Sequence, residues 1–162
     1  MAAVDYFLKL QGIEGESMDD KHKGEIDLES WSWGESNAGT FSGGGGGGAG
    51  KVSMQDFHFV MKINKSSPKL MFACASGAHI PTANLICRKA GGKQEEFLKV
   101  KFSDLLVSSY QTGGSGHSDI VPTDQISLNF AKIQIEYYTQ KADGTPVLGA
   151  SAGWDVKANV KL

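Results

Sequence analysis

Arginine is almost absent from this sequence: Arg88 is the only one, beside fifteen lysines. Proteins that track a phosphate backbone or an anionic bilayer do so with clustered cations and a basic excess, and a net charge of -2 supplies neither. Nucleic acid is not an expected partner. Cysteine is scarce too: Cys74 and Cys87 fit a reducing compartment, as small buried hydrophobes rather than a catalytic thiol. Long apolar runs are missing, since the longest, Leu70 to Ala75, has six residues where about 20 are needed to cross a bilayer. No membrane insertion is expected. The opening Met1-Ala2-Ala3-Val4-Asp5 lacks the basic and apolar regions of a secretory signal, so synthesis and folding are expected in the cytoplasm.

What is present is enough for one domain spanning 1–162, exposing on the order of 8,000 Å² when folded. A core of that size needs no metal or disulfide, so no cofactor is expected. Charge is uneven: residues 1–36 hold nine acids and three lysines, net -6, against net +4 for the remainder. Period-two patterning dominates. Trp154, Val156, Ala158 and Val160 alternate with polar residues, as do Tyr6-Leu8-Leu10, Ile26-Leu28 with Trp31-Trp33 opposite, Ala83-Leu85-Cys87 and Leu98-Val100-Phe102. Inward parity changes within two longer segments, Val52–Ile63 and Ile126–Tyr137, which predicts β-bulges near Gln55–Asp56 and Ala131–Lys132. Gly91-Gly92 and Asp143-Gly144 read as hairpin turns and Thr112–Gly116 as a loop, giving about eight strands of a mainly β barrel. Ser67 as N-cap, Pro68 at the first helical position and Gly77 at the end predict one helix of about two turns, apolar nearly all round and packed over the barrel.

Nine of the 21 glycines fall in residues 34–50, six of them consecutive, which predicts a long mobile loop between strands ending near Trp33 and starting near Lys51. Gly45 to Lys51 imitates the first seven positions of a phosphate-binding loop, but Val52 stands where a Ser or Thr must hold magnesium, and a strand follows instead of a helix. Gly113-Gly114-Ser115-Gly116-His117 resembles a nucleophile elbow with His117 in place of the last glycine, so Ser115 reads as a turn residue. His22, His58, His79 and His117 show no metal-ligand spacing and read as surface or satisfied loop histidines. Glu95 and Glu96 are adjacent and point to opposite faces of a strand, which rules out an acid/base pair between them. Trp31, Trp33, Trp154 and Phe130 permit a second reading, a monomeric barrel binding a small ligand, although side chains ordinarily fill a barrel of this size.

Several short blocks occur in an order known from one family: Trp31-Ser32-Trp33-Gly34, the glycine run closing in Ala49-Gly50-Lys51-Val52, and Ser67-Pro68-Lys69-Leu70-Met71. Lys89-Ala90-Gly91-Gly92, Val107-Ser108-Ser109, Leu128-Asn129-Phe130-Ala131, Gln140-Lys141-Ala142-Asp143-Gly144 and Gly153-Trp154 continue it over nearly the whole chain. The chain resembles Hcp, the haemolysin-coregulated protein of bacterial type VI secretion. The resemblance implies a β-barrel of two sheets with one short flanking α-helix, similar to phage tail-tube proteins, and a structural rather than enzymatic role. It implies homohexameric rings stacked into a tube, with sheath and tip-spike proteins and secreted effector proteins as partners. The subunit is then cytoplasmic before firing and extracellular afterwards, exported without a cleavable signal. By the same resemblance Ser32 corresponds to a lumen-facing effector contact, and Gly39, Thr40, Phe41, Ser42, Gly43, Gly44, Gly45, Gly46, Gly47, Gly48, Ala49 and Gly50 to an extended loop that reaches an adjoining subunit or ring. Asp124-Gln125 stands where related sequences often carry a glutamate before the alternating Ile126-Leu128-Phe130 strand.

Overall fold

The computed structural model describes residues 3–39, 49–117 and 119–162. Eleven strands and one helix follow one another along the described chain: β1 (Val4–Leu10), β2 (Ile26–Asp27), β3 (Ser30–Ser32), β4 (Glu35–Gly39), β5 (Ala49–Met54), β6 (Phe57–Lys62), α1 (Ser67–Ser76), β7 (Ile80–Lys89), β8 (Glu96–Gly113), β9 (Thr123–Gln140), β10 (Pro146–Asp155) and β11 (Val160–Lys161). The architecture is mainly β with one short helix, as the alternation predicts.

Two strands of 18 residues, β8 and β9, run antiparallel through the whole body. Strand β7 and then β1 pair outward from β8, while the two halves of β9 serve different neighbours: Thr123 to Leu128 face β6, and Lys132 to Gln140 face β10. The long pair therefore joins two branches of one nine-stranded sheet, where two sheets were expected. Closure is incomplete. Strand β2 pairs with β1 and β3 with β6, and between them only Leu28 N–H to the Tyr6 carbonyl (3.0 Å) and Glu29 N–H to the Val60 carbonyl (2.8 Å) carry the chain across.

The expected parity change at Ala131–Lys132 is present, but no register shift produces it. Buried positions pass from Phe130 to Ile133 on β9 and from Phe102 to Leu105 on β8, and the pairing skips Asp104 and Ala131 together. Both strands change face at one level, with Asp104 taking the strain at φ 53°. The register shift lies further on, between Val107 and Ser109. The bulge expected at Gln55–Asp56 is instead a strand break, since β5 stops at Met54 in a separate ladder and β6 starts at Phe57 in the main sheet. Asp56 is held there by side chains, accepting hydrogen bonds from Ser108 Oγ (2.6 Å) and Asn129 Nδ2 (2.8 Å). The strand expected over 154–161 is also broken, because the Ala158 N–H turns back to Asp155 Oδ1 at 2.8 Å and Asn159 adopts φ 58°.

Helix α1 starts one residue away from the expected cap. Ser66 is the N-cap, and the Ser67 hydroxyl donates instead to the buried Asp124 Oδ2 at 2.6 Å, where Tyr110 also donates at 3.0 Å. Asp124 thus ties the helix to β9 from inside. Leu70 and Ala73 face the barrel, whereas Met71 and Phe72 are 51% and 68% exposed, so the helix is covered on one side only. Cys87 is buried as expected and Cys74 only half so; burial pushes the Cys87 thiol up to about 12.

The core is aromatic at its centre. The Phe102 ring lies 4.8 Å from those of both Phe57 and Phe130, and Phe57 lies 5.9 Å from Phe59. Each such ring contributes about 1.5–3 kcal/mol by leaving water. Phe7 is buried apart from this cluster, under residues 11–25, with its ring 4.4 Å from His22 and 4.8 Å from the Arg88 guanidinium. The single arginine sits here. Its two terminal nitrogens donate to Asp19 Oδ1 (3.0 Å) and Oδ2 (2.7 Å), and one also reaches Asp5 Oδ2 at 3.0 Å. This fork holds the Asp19 carboxyl down to about 2.

Removing one partner of such a pair strands the other, so Arg88→Ala should lower unfolding free energy by about 3–5 kcal/mol in urea titrations near neutral pH. Asp19 has its pKa depressed from 3.8 to about 2, so its contribution is present above 3.8 and is lost as pH falls toward 2. Over that window the wild type should lose more stability than Arg88→Ala does.

Candidate functional site

Strands β4 and β5 form a ribbon that stands apart from the main sheet. Every residue of β4 is exposed. Its register runs Glu35 to Met54, Ser36 to Ser53, Asn37 to Val52 and Gly39 to Ala49, with Asn37 Nδ2 bonded to the Gly50 carbonyl at 2.7 Å. Gly50 is required by close approach, as a Cβ there would lie 2.9 Å from the Ala38 carbonyl oxygen. Of the expected loop, then, Gly39, Ala49 and Gly50 belong to a strand pair, and Thr40, Phe41, Ser42 and Gly43 to Gly48 lie outside the described residues. The strand expected to end near Trp33 resumes as β4 because Gln55 N–H bonds the Gly34 carbonyl at 2.9 Å and closes the ribbon's base.

Between the ribbon and the β9–β10 face lies an open cleft of about 530 Å³, lined by Trp33, Val52, Met54, Ile135 and Trp154 among others. The indole N–H groups of Trp33 and Trp154 are buried without a partner. The four aromatics grouped by the sequence do not line one pocket: Trp31 stacks on Phe57 at 6.1 Å against the core and Phe130 lies 4.8 Å from Phe102 within it, while Trp33, its ring 6.5 Å from that of Phe130, and Trp154 line the cleft. A small-ligand barrel needs a hollow centre, and phenylalanine rings occupy this one.

Ser32 projects from the outer face of β3. Its neighbour Trp31 pairs with the buried Phe59, which sends Ser32 and its own partner His58 the other way. The row continues across strands: His58 pairs with Ser127, with Nδ1 3.3 Å from Oγ, and Ser127 pairs with Ser109. One step along, Val60, Gln125 and Gln111 form the next row with Ser30. Neither row contains a lysine or a carboxylate, and nearby Asp56 is already bonded to Ser108 and Asn129. The result is a neutral band of hydrogen-bonding groups. Sequence reading found Ser32 but not His58, Ser127 or Ser109, although their alternation with Phe59, Ile126 and Leu128 is the signal that would have found them.

Catalytic alternatives gather nothing around them. Among the described residues Ser115 donates to the Gly116 carbonyl alone, at 3.2 Å. Lys51 lies within β5, so no helix receives a phosphate there. Among the described residues no group of three His, Cys, Asp or Glu side chains is placed to hold a metal ion. Glu95 pairs with Lys89 at 3.6 Å and Glu96 with His22 at 2.6 Å, so the two glutamates serve separate contacts.

The family model described as "Type VI secretion system effector, Hcp" matches residues 7–137. The chain belongs to the Hcp family. It is 50% identical over 161 residues to Protein hcp1 of Pseudomonas aeruginosa, covering 98% of this chain and 99% of that protein. Hcp1 from Salmonella typhimurium superposes with a TM-score of 0.79 at 38% identity, over 99% of this chain and 100% of that one. A structure described as that of a type six secretion system protein gives a TM-score of 0.92 at 31% identity, over 99% and 100% of the two chains. Within this Hcp chain the family match runs from β1 into β9 and so includes the ribbon and the Ser32 row.

Gly50→Ala in this Hcp should part β4 from β5 while sparing the core. The Asn37–Val52 cross-strand contacts should vanish from nuclear Overhauser spectra, with a Tm loss of only about 2–4 °C.

Proposed function

We propose that this Hcp is the structural subunit of a type VI secretion tube, closing with identical copies into hexameric rings that stack and carry effector proteins in the lumen. The observation that carries the reading is the β4–β5 ribbon. A two-stranded sheet with one strand wholly exposed has little stability of its own in water, and its edges invite further pairing. A second copy is the natural cover. A ribbon that docks on a different patch of its neighbour makes a heterologous contact, and repeated heterologous contacts close into rings or run on as filaments.

In this reading the loop spanning 39–50 is the reaching element, and the Ser32–His58–Ser127–Ser109 band faces the hole and hydrogen-bonds the cargo. In the same reading the subunit has a structural rather than an enzymatic role, and the sheath and tip-spike proteins are its other partners. The subunit is made in the cytoplasm and leaves the cell when the tube is fired.

Light scattering on the purified chain should report a mass near six copies, and electron micrographs should show annuli. Deleting residues 43–48 should shorten or abolish tubes while the single ring persists. A monomer at micromolar concentration overturns the proposal.

A further inference from the structure

Residues 11–25, between β1 and β2, form a strap ordered by their own backbone bonds: Gly15 N–H to the Gly24 carbonyl (2.9 Å), Ser17 N–H to that of Glu25 (3.0 Å) and Gly24 N–H to that of Ser17 (2.9 Å). Two side-chain anchors fasten it. One is the Arg88–Asp19 fork. The other is His22, 6% exposed, whose Nδ1 lies 3.0 Å from Glu25 Oε2 and whose Nε2 lies 2.6 Å from Glu96 Oε1 on β8. A neutral imidazole has one N–H and one lone pair, so it can satisfy only one of two carboxylates. The imidazolium donates to both.

Charged groups surround the ring. Facing the ring or its partners are Asp19 and Glu25 on the strap, Asp27 on β2, Glu96 on β8 with Lys99 3.7 Å from it, and Arg88 on β7, which also holds Asp5 of β1. Five carboxylates gather here with Arg88, while Lys21 and Lys93 stand with Lys99 in the cleft beside Glu96. The Asp27 carboxyl registers this field, raised by burial first and then by Asp5, Asp19 and Glu25.

We propose that His22 is a proton-operated clasp: doubly protonated, it holds Glu25 and Glu96 together and ties the strap to β8, and on losing a proton it can keep only one of the two, which loosens that end of the strap while Arg88 retains the other. The strap supplies Gln11 to Glu14 and Lys23 to Glu25 as one wall of a polar cleft of about 1030 Å³, across which stand Lys65 and Lys69 at the start of α1. Release of the clasp changes the position of that wall. The proposal does not rest on ring assembly.

Amide exchange on the full chain, expressed as protection factors corrected for intrinsic rates, tests it. Gly15, Ser17 and Gly24 should be about tenfold more protected near pH 5.5 than near pH 8, the worth of one charge-assisted hydrogen bond, with β8–β9 amides unchanged. His22→Gln should remove the difference, and Glu96→Gln should shrink it should the first variant fail to fold. Equal strap protection at the two pH values, a parallel change in β8–β9, or an undiminished difference in a folded variant overturns the clasp.

Discussion

The antiparallel pairing of β8 with β9 is the constraint on which the remaining structure depends. Eighteen residues is more than one sheet of this protein can use, and the excess is resolved by a change of face at Asp104 and Ala131. Beyond that level the alternate set of side chains points inward, and the neighbour paired to β9 changes from β10 to β6. A one-residue slip would send both apolar sets to solvent. Phe102 and Phe130, on either side of the change and 4.8 Å apart, are the contact that makes such a slip costly.

The second organising contact is electrostatic and belongs to the outer layer. A chain with one arginine has placed it in a buried fork with Asp19 beside the Phe7 ring, far from any surface where it would meet a polyanion. This explains why charge statistics excluded nucleic acid yet said nothing of the arginine's own use. A buried guanidinium is held in place by geometry that only the folded strap provides. The unevenly acidic first 36 residues are in part the complement of this one cation: Asp5 and Asp19 are bonded to it.

Much of the fold was legible because alternation is the direct imprint of a half-buried strand. Tyr6-Leu8-Leu10, Ala83-Leu85-Cys87 and Leu98-Val100-Phe102 all lie in strands, and Ser67 to Gly77 holds the helix. The ribbon was not legible. Glu35 to Gly39 is polar on both faces, so it carries no period, and its partner lies across a glycine run that reads as loop. The final strand misled for the converse reason: Trp154 to Val160 alternates, but the Asp155 carboxylate captures the Ala158 N–H and turns the chain. At the candidate lumen face, Ser32 was visible only through family resemblance. Its row mates emerge from cross-strand register, which no local pattern encodes.

Separating the ribbon from the core has a functional consequence. The phenylalanine cluster and the Arg88 fork hold the body together without any residue of β4, so the contacts between copies proposed for the ribbon can be gained or broken without unfolding that body. The neutral Ser32 row extends the same logic to cargo. Serine, glutamine and a histidine offer donors and acceptors that match a polypeptide surface in many registers, whereas fixed charges would demand one complementary pattern and would hold it tightly. On the proposed reading of the Ser32 row as a cargo face, a conduit that must release what it carries is better served by many exchangeable hydrogen bonds than by a few ion pairs, and the row offers the former.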